Sequence, residues 1–153
     1  MMKLAEDILN EKDRPMISVQ QTTILVDALK TMAKNDIGAI VIKKGKEVVG
    51  IFTERDLLKL AAGRKFDPDS TIIKDVMTTD LFSAPYNDPI YLLLDKILGK
   101  RIRHILIEKE GRFIGILSAG DVTKACLNER TREMDSIIWD YYENWRWKPK
   151  KKS

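Results

Sequence analysis

Apolar residues along the chain fall into two alternating patterns. Short β-branched runs such as Gly38-Ala39-Ile40-Val41-Ile42 and Ile105-Leu106-Ile107 suit buried strands rather than helices. Between such runs, apolar residues recur at spacings of three and four, which predicts helices. Ile24, Leu25, Ala28, Leu29 and Met32 share one face over residues 24–34, with Asp27, Lys30 and Lys34 facing out. A short helix over 3–11, broken at Asp13-Arg14-Pro15, and a strand at Ile17 and Val19 precede it. A hairpin turn at Lys43-Lys44-Gly45-Lys46, a return strand from Val48 to Phe52 and a helix over 53–62 follow, with Gly63 expected at C′.

Residues 64–74 are polar, contain a proline and read as a linker. A second set of elements then repeats the first. A strand runs from Phe82 to Ala84, Pro89 is expected at the first helical position, and residues 90–98 form a helix. A buried strand from Arg103 to Ile107, a turn at Lys109-Glu110-Gly111, a return strand from Phe113 to Leu117 and a helix over 118–127 complete it. The two halves align without a gap at a constant offset of 65, with identities that include Leu29/Leu94, Ile40/Ile105, Gly50/Gly115 and Asp56/Asp121. Such self-similarity indicates duplication. Each unit has the order β-α-β-β-α and would be marginal alone. The expected fold class is therefore α/β (α+β), with two repeats burying their sheets against each other about a pseudo-two-fold axis. The divisions are 1–63, first repeat with the N-terminal helix; 64–74, linker; 75–127, second repeat; and 128–153, a C-terminal amphipathic helix and tail.

The repeated stretch Gly50-Ile51-Phe52-Thr53-Glu54-Arg55-Asp56 and Gly115-Ile116-Leu117-Ser118-Ala119-Gly120-Asp121 is a strand that ends where a helix begins. Thr53 and Ser118 suit the N-cap, since a hydroxyl oxygen accepts a free backbone N–H of the first turn. Asp56 and Asp121 then fall at N3, the reciprocal position of a capping box.

Charge changes this picture only locally. The net charge is +4, and Lys148, Lys150, Lys151 and Lys152 at the end of the chain supply it. Residues 128–147 carry Met134, Ile137, Ile138, Tyr141, Tyr142 and Trp145 at helical spacing, and all three tryptophans, Trp139, Trp145 and Trp147, lie in this block. The tail admits a docking or dimerisation helix, or stacking and phosphate attraction toward nucleic acid. A single cysteine, Cys126, excludes an intramolecular disulfide and fits a reducing cytoplasm. No apolar run is long enough to cross a bilayer, and the N-terminus has no signal-peptide pattern.

With both copies in view, residues from about 8 to 127 resemble a tandem pair of CBS domains, the ligand-sensing modules named after cystathionine β-synthase. The resemblance rests on element order, duplication and the apolar-Gly-apolar-apolar-[Ser/Thr]-x-x-Asp signature, and this chain looks like a stand-alone pair. It implies sheet-to-sheet packing and a disc-like homodimer. It also implies a regulatory ligand containing adenosine, namely AMP, ADP, ATP or S-adenosylmethionine, rather than a cofactor. The family's roles carry onto Asp56 and Asp121 for the ribose hydroxyls and onto Thr53 and Ser118 near ribose or phosphate. Where the first repeat has Gly38-Ala39, the second has Arg103-His104, with Lys100 and Arg101 upstream. Family members often hold phosphate at this strand entrance, which makes the second-repeat cleft the expected phosphate site; Arg55 offers partial compensation in the first. Adenine candidates are Ile17, Val19 and Ile40 in the first repeat and Phe82, Ala84 and Ile105 in the second, with Tyr86 available to stack. No nucleophile–base set, P-loop or metal-ligand spacing is present in the sequence, so the expectation is no catalysis and no metal. The expected partners are an adenine nucleotide, a second copy and a protein partner. Nucleic acid is the alternative.

Overall fold

The computed structural model describes residues 2–63 and 66–131. The apolar and basic residues assigned to the tail, from Met134 to the final lysines, lie outside the described residues. Helix α1 spans Ala5–Lys12 and strand β1 Ser18–Gln20; α2 spans Leu25–Asn35, β2 Ala39–Lys44, β3 Glu47–Thr53 and α3 Glu54–Ala62. The second set is β4 Ser83–Pro85, α4 Ile90–Lys100, β5 His104–Lys109, β6 Arg112–Ser118 and α5 Ala119–Thr131, preceded by a 3-10 turn over Ile73–Asp75. Two three-stranded sheets result, ordered β1-β2-β3 and β4-β5-β6, each with one parallel and one antiparallel pairing. The fold is the expected α+β duplication. Even the irregularity is duplicated, since the register slips between Ile42 and Lys43 and again between Ile107 and Glu108.

The helix ends differ from expectation in two places. Gly63 has φ −77° and is not left-handed; its N–H is taken by the Leu60 and Lys59 carbonyls, and any residue could adopt that conformation. Pro89 is the N-cap of α4 rather than its first residue, with an extended ψ of 147°. Left-handed C-caps occur instead at Asp36 and Arg101, equivalent positions of the two repeats, with φ of 52° and 53°. In the second hairpin Glu110 and Gly111 both have positive φ, as a type I′ turn requires.

Side-chain alternation in the central strands gives each sheet two buried faces. Ile40 and Ile42 pack with Leu25, Ala28, Met32 and Phe52 under the helices of the first half. Ile105 and Ile107 pack with Ile90, Leu93, Ile97 and Val122 in the second. Val41 and Leu106, pointing the other way, are also fully buried. Ile51 of β3 and Leu106 of β5 line one shared cavity on that side, so the sheets face each other.

The repeats are not self-contained. Helix α1, grouped by chain order with the first repeat, fills the second core with Ala5 and Ile8. The Ala5 N–H donates to the Asp88 carbonyl, and the Ile90 N–H donates to that of Lys3. Conversely, Ile73, inside the stretch read as a linker, is fully buried in the first core, with Val76 and Met77 beside it. Ile8 and Ile73 are again 65 residues apart. Each half therefore sends its leading segment across to the other, because an apolar residue ahead of the first strand finds its uncovered partner face there. Among the described residues no helix is long and apolar enough to cross a membrane.

Candidate functional site

Both signatures form the predicted caps. The Thr53 N–H donates to Asp56 Oδ2 at 3.0 Å, and the Asp56 N–H donates to Thr53 Oγ1 at 3.3 Å. The Ser118 N–H donates to Asp121 Oδ2 at 2.8 Å, and the Asp121 N–H donates to Ser118 Oγ at 3.0 Å. The glycine of each signature is crowded by the crossing segments. A Cβ on Gly115 would lie 2.6 Å from Leu9 Cδ2, and one on Gly50 would strike the Met77 sulfur.

The first signature opens onto a cavity of about 280 Å³ between the two halves. Thr53, Arg55 and Asp56 line it from the first repeat. Phe82, Arg101, Arg103 and His104 line it from the second. This revises the expected partition: Arg103 and His104 line the cleft of Thr53 and Asp56, and His104 also lies within reach of the charges of Asp121 and Lys12 at the second signature. Sequence spacing places them at a strand entrance but does not say which half's helix that entrance faces. The segment after the 3-10 turn closes the same cavity. Thr78 donates its hydroxyl to Asp56 Oδ1 at 3.2 Å, and its backbone pairs with Ile51 in both directions.

Of the adenine candidates, Phe82 lines the cavity and is 41% exposed. Ala84, Ile40 and Ile105 do not reach it; they are sealed in the two cores, because alternation turns them toward the helices. Ile17 and Val19 likewise pack against the first core. Tyr86 packs on the second core with the Lys109 ammonium 4.6 Å from its ring centroid. Sequence reasoning missed Glu54, Lys59, Thr78 and Asp80, which also line the cavity. Glu54 and Lys59 sit on the signature helix, where the cap was the conspicuous signal. Thr78 and Asp80 follow a stretch that looked like a spacer.

The cavity's charge is mixed with a basic surplus: Arg55, Lys59, Arg101 and Arg103 against Glu54, Asp56 and Asp80. Gly38 and Glu54 explain part of the arrangement. The Glu54 carboxylate lies where a Gly38 Cβ would meet it, at 3.2 Å. In the second half the bulk is exchanged, with Arg103 at the glycine position and Ala119 at that of the glutamate. Burial pushes the His104 ring below its usual 6.5 and Lys12 pushes it further; Asp121 and Glu54 restore part, and Arg103 adds to the depression. His104 is therefore neutral near pH 7, with one ring nitrogen able to donate.

The second signature is arranged differently. Lys12, at the end of α1, places its ammonium 2.8 Å from Asp121 Oδ2. Burial works against the Asp121 anion, but the Lys12 and Ser118 bonds outweigh it and hold the carboxyl below its usual 3.8. Cys126 is buried in the second core, and burial pushes its thiol up, away from a reactive thiolate.

A family model for the CBS domain matches residues 5–63 and 73–128. The chain belongs to the CBS-domain family. A CBS-domain protein of Arabidopsis thaliana, the mitochondrial CBSX3, is 32% identical over 116 residues, covering 72% of this chain and 56% of that protein. The pair thus spans little more than half of this longer relative. Among solved structures, the CBS-domain protein ATU1752 from Agrobacterium tumefaciens superposes with a TM-score of 0.75 at 34% identity, covering 81% of this chain and 99% of that one. Two further CBS proteins share the fold: PAE2072 from Pyrobaculum aerophilum complexed with AMP (TM-score 0.71, 24% identity, 84% and 99% covered), and the MJ0100 pair with 5′-methylthioadenosine and S-adenosyl-L-methionine (TM-score 0.72, 23% identity, 84% and 99% covered).

Proposed function

We propose that this CBS pair is a non-catalytic regulatory module that binds an adenosine-containing ligand in the cleft of Thr53 and Asp56. The observation that carries the reading is the shared cavity, which holds three kinds of group in one space. Asp56 presents a carboxylate that suits the cis-diol of a ribose, as acidic residues do in other nucleotide folds. The Glu54 and Asp56 N–H groups of α3 are taken by the Gly38 carbonyl and the Thr53 hydroxyl, so phosphate attraction falls to the positive end of the helix and to Arg101, Arg103 and His104, which add cationic and neutral donors on the opposite wall. Phe82 supplies an apolar surface for a base. Adenosine compounds in two proteins of the same fold support the reading.

The cleft lies between the halves, so a ligand there acts on how they sit together. It shifts the affinity for a second copy or a protein partner by no more than its differential affinity for the two states. The experiment is calorimetry with AMP, ADP, ATP, S-adenosylmethionine and 5′-methylthioadenosine. Binding of at least one below millimolar concentration is expected; failure of all five ends this reading.

A further inference from the structure

The two signature aspartates differ in one neighbour. Asp56 takes a neutral hydroxyl from Thr78, at 3.2 Å. Asp121 takes the Lys12 ammonium, at 2.8 Å, and the same ammonium lies 3.4 Å from the Ile116 carbonyl. A diol that replaces the hydroxyl at Asp56 exchanges one neutral donor for another. A diol that replaces the ammonium at Asp121 has to separate an ion pair whose members are only 27% and 26% exposed. Separation leaves a shielded carboxylate without its counter-charge and a cation without its anion. Lys12 is also tethered, because α1 is held in the second core by Ala5 and Ile8.

We propose that Lys12 closes the second cleft and fixes the occupancy of the pair at one ligand per chain. The inference rests on the adenosine reading of the first cleft. The rest of the second cleft's ribose machinery is intact, since Ser118 and Asp121 repeat the geometry of Thr53 and Asp56. Gly38, the residue 65 positions before Arg103, lines the first cavity as well, so the arginine fork has no counterpart at the second signature. Once Lys12 is withdrawn, the ligand class admitted there is an adenosine compound held through its ribose.

The test is equilibrium dialysis of the full chain with saturating radiolabelled adenosine, comparing wild type, Lys12→Ala and Lys12→Met. The methionine variant keeps an apolar stem of similar length, so a loss of packing on α1 is separated from the loss of charge; circular dichroism and thermal melts report the fold of both. One adenosine per chain is expected for wild type, two for either folded variant, and one again when Asp121→Ala is added to Lys12→Met. Two equivalents on wild type, or one on the folded variants, overturns the role of Lys12 while leaving the first cleft's reading standing. No adenosine on any form overturns the role of Lys12, and the first cleft's reading falls with it only if the five calorimetry ligands also fail to bind.

Discussion

Leu9 lies against the Cα of Gly115 so closely that any side chain on the glycine would meet it. A Cβ there would be 2.6 Å from Leu9 Cδ2. The atoms met belong to the Leu9 side chain, which can give way in part. Gly115→Ala is therefore expected to cost about 1–3 kcal/mol, the usual range for overpacking. Gly50→Ala should cost more, because its Cβ would also sit 3.1 Å from the backbone carbonyl of Thr78, which is paired to β3 and cannot rotate away. Paired thermal melts decide the order, and equal melting temperatures contradict it.

Ile73 should behave as core despite its place between the repeats. It is fully exchanged into the first half's interior with Leu25, Met32 and Phe52. Ile73→Ala is expected to destabilise by about 2–5 kcal/mol, as buried large-to-small changes do. A flexible spacer would give a change within about 0.5 kcal/mol. Urea denaturation distinguishes the two.

Asp56 and Arg103 should separate by ligand. Asp56→Ala is expected to weaken adenosine and AMP alike, because both carry the ribose. Arg103→Ala should weaken AMP by about tenfold or more, the loss of one charge-assisted bond, and leave adenosine nearly unchanged. Calorimetry with both ligands reads the pattern; equal losses of the two ligands on Arg103→Ala contradict a phosphate role.

His104 predicts a pH dependence of binding. Its proton affinity is held below the usual 6.5, chiefly by burial, and a phosphate beside it would raise that affinity. AMP binding should then take up protons. The affinity of wild type relative to His104→Asn should grow as pH is lowered from about 8 to about 6, while adenosine shows no such divergence. Titrations in buffers of different ionisation enthalpy measure the uptake directly.

Asp121 predicts a pH dependence of stability with the opposite sense. Its folded value is depressed below 3.8, so its contribution is present above that pH and is lost as pH falls through the lowered value. Lys12→Met removes the largest of the interactions that favour the anion. The acid-side loss of melting temperature should be smaller in that variant than in wild type.

Much of this molecule was legible as a line of residues. The offset of 65 gave the duplication, and the hydroxyl and acid three apart gave both capping boxes, because capping is local physics that the chain states directly. The crossing of leading segments was not legible. Ile8 falls on the apolar side of a short helix and Ile73 in a stretch that reads as a linker, and neither position names the face that buries it. The cleft's membership failed for the same reason. Arg103 is next to the second signature in chain order and by strand pairing, yet lines the cavity of the first. Lys12 gave no signal at all, since a lysine at a helix end is ordinarily explained by the dipole.

The reciprocal crossing of α1 and the Ile73 segment bears on how the polypeptide comes apart. A protease that nicks the backbone just after Gly63 would yield two fragments, each lacking an interior piece that the other carries. Neither would have a whole interior by itself, so mutual donation, beside the covalent link, keeps the halves in company.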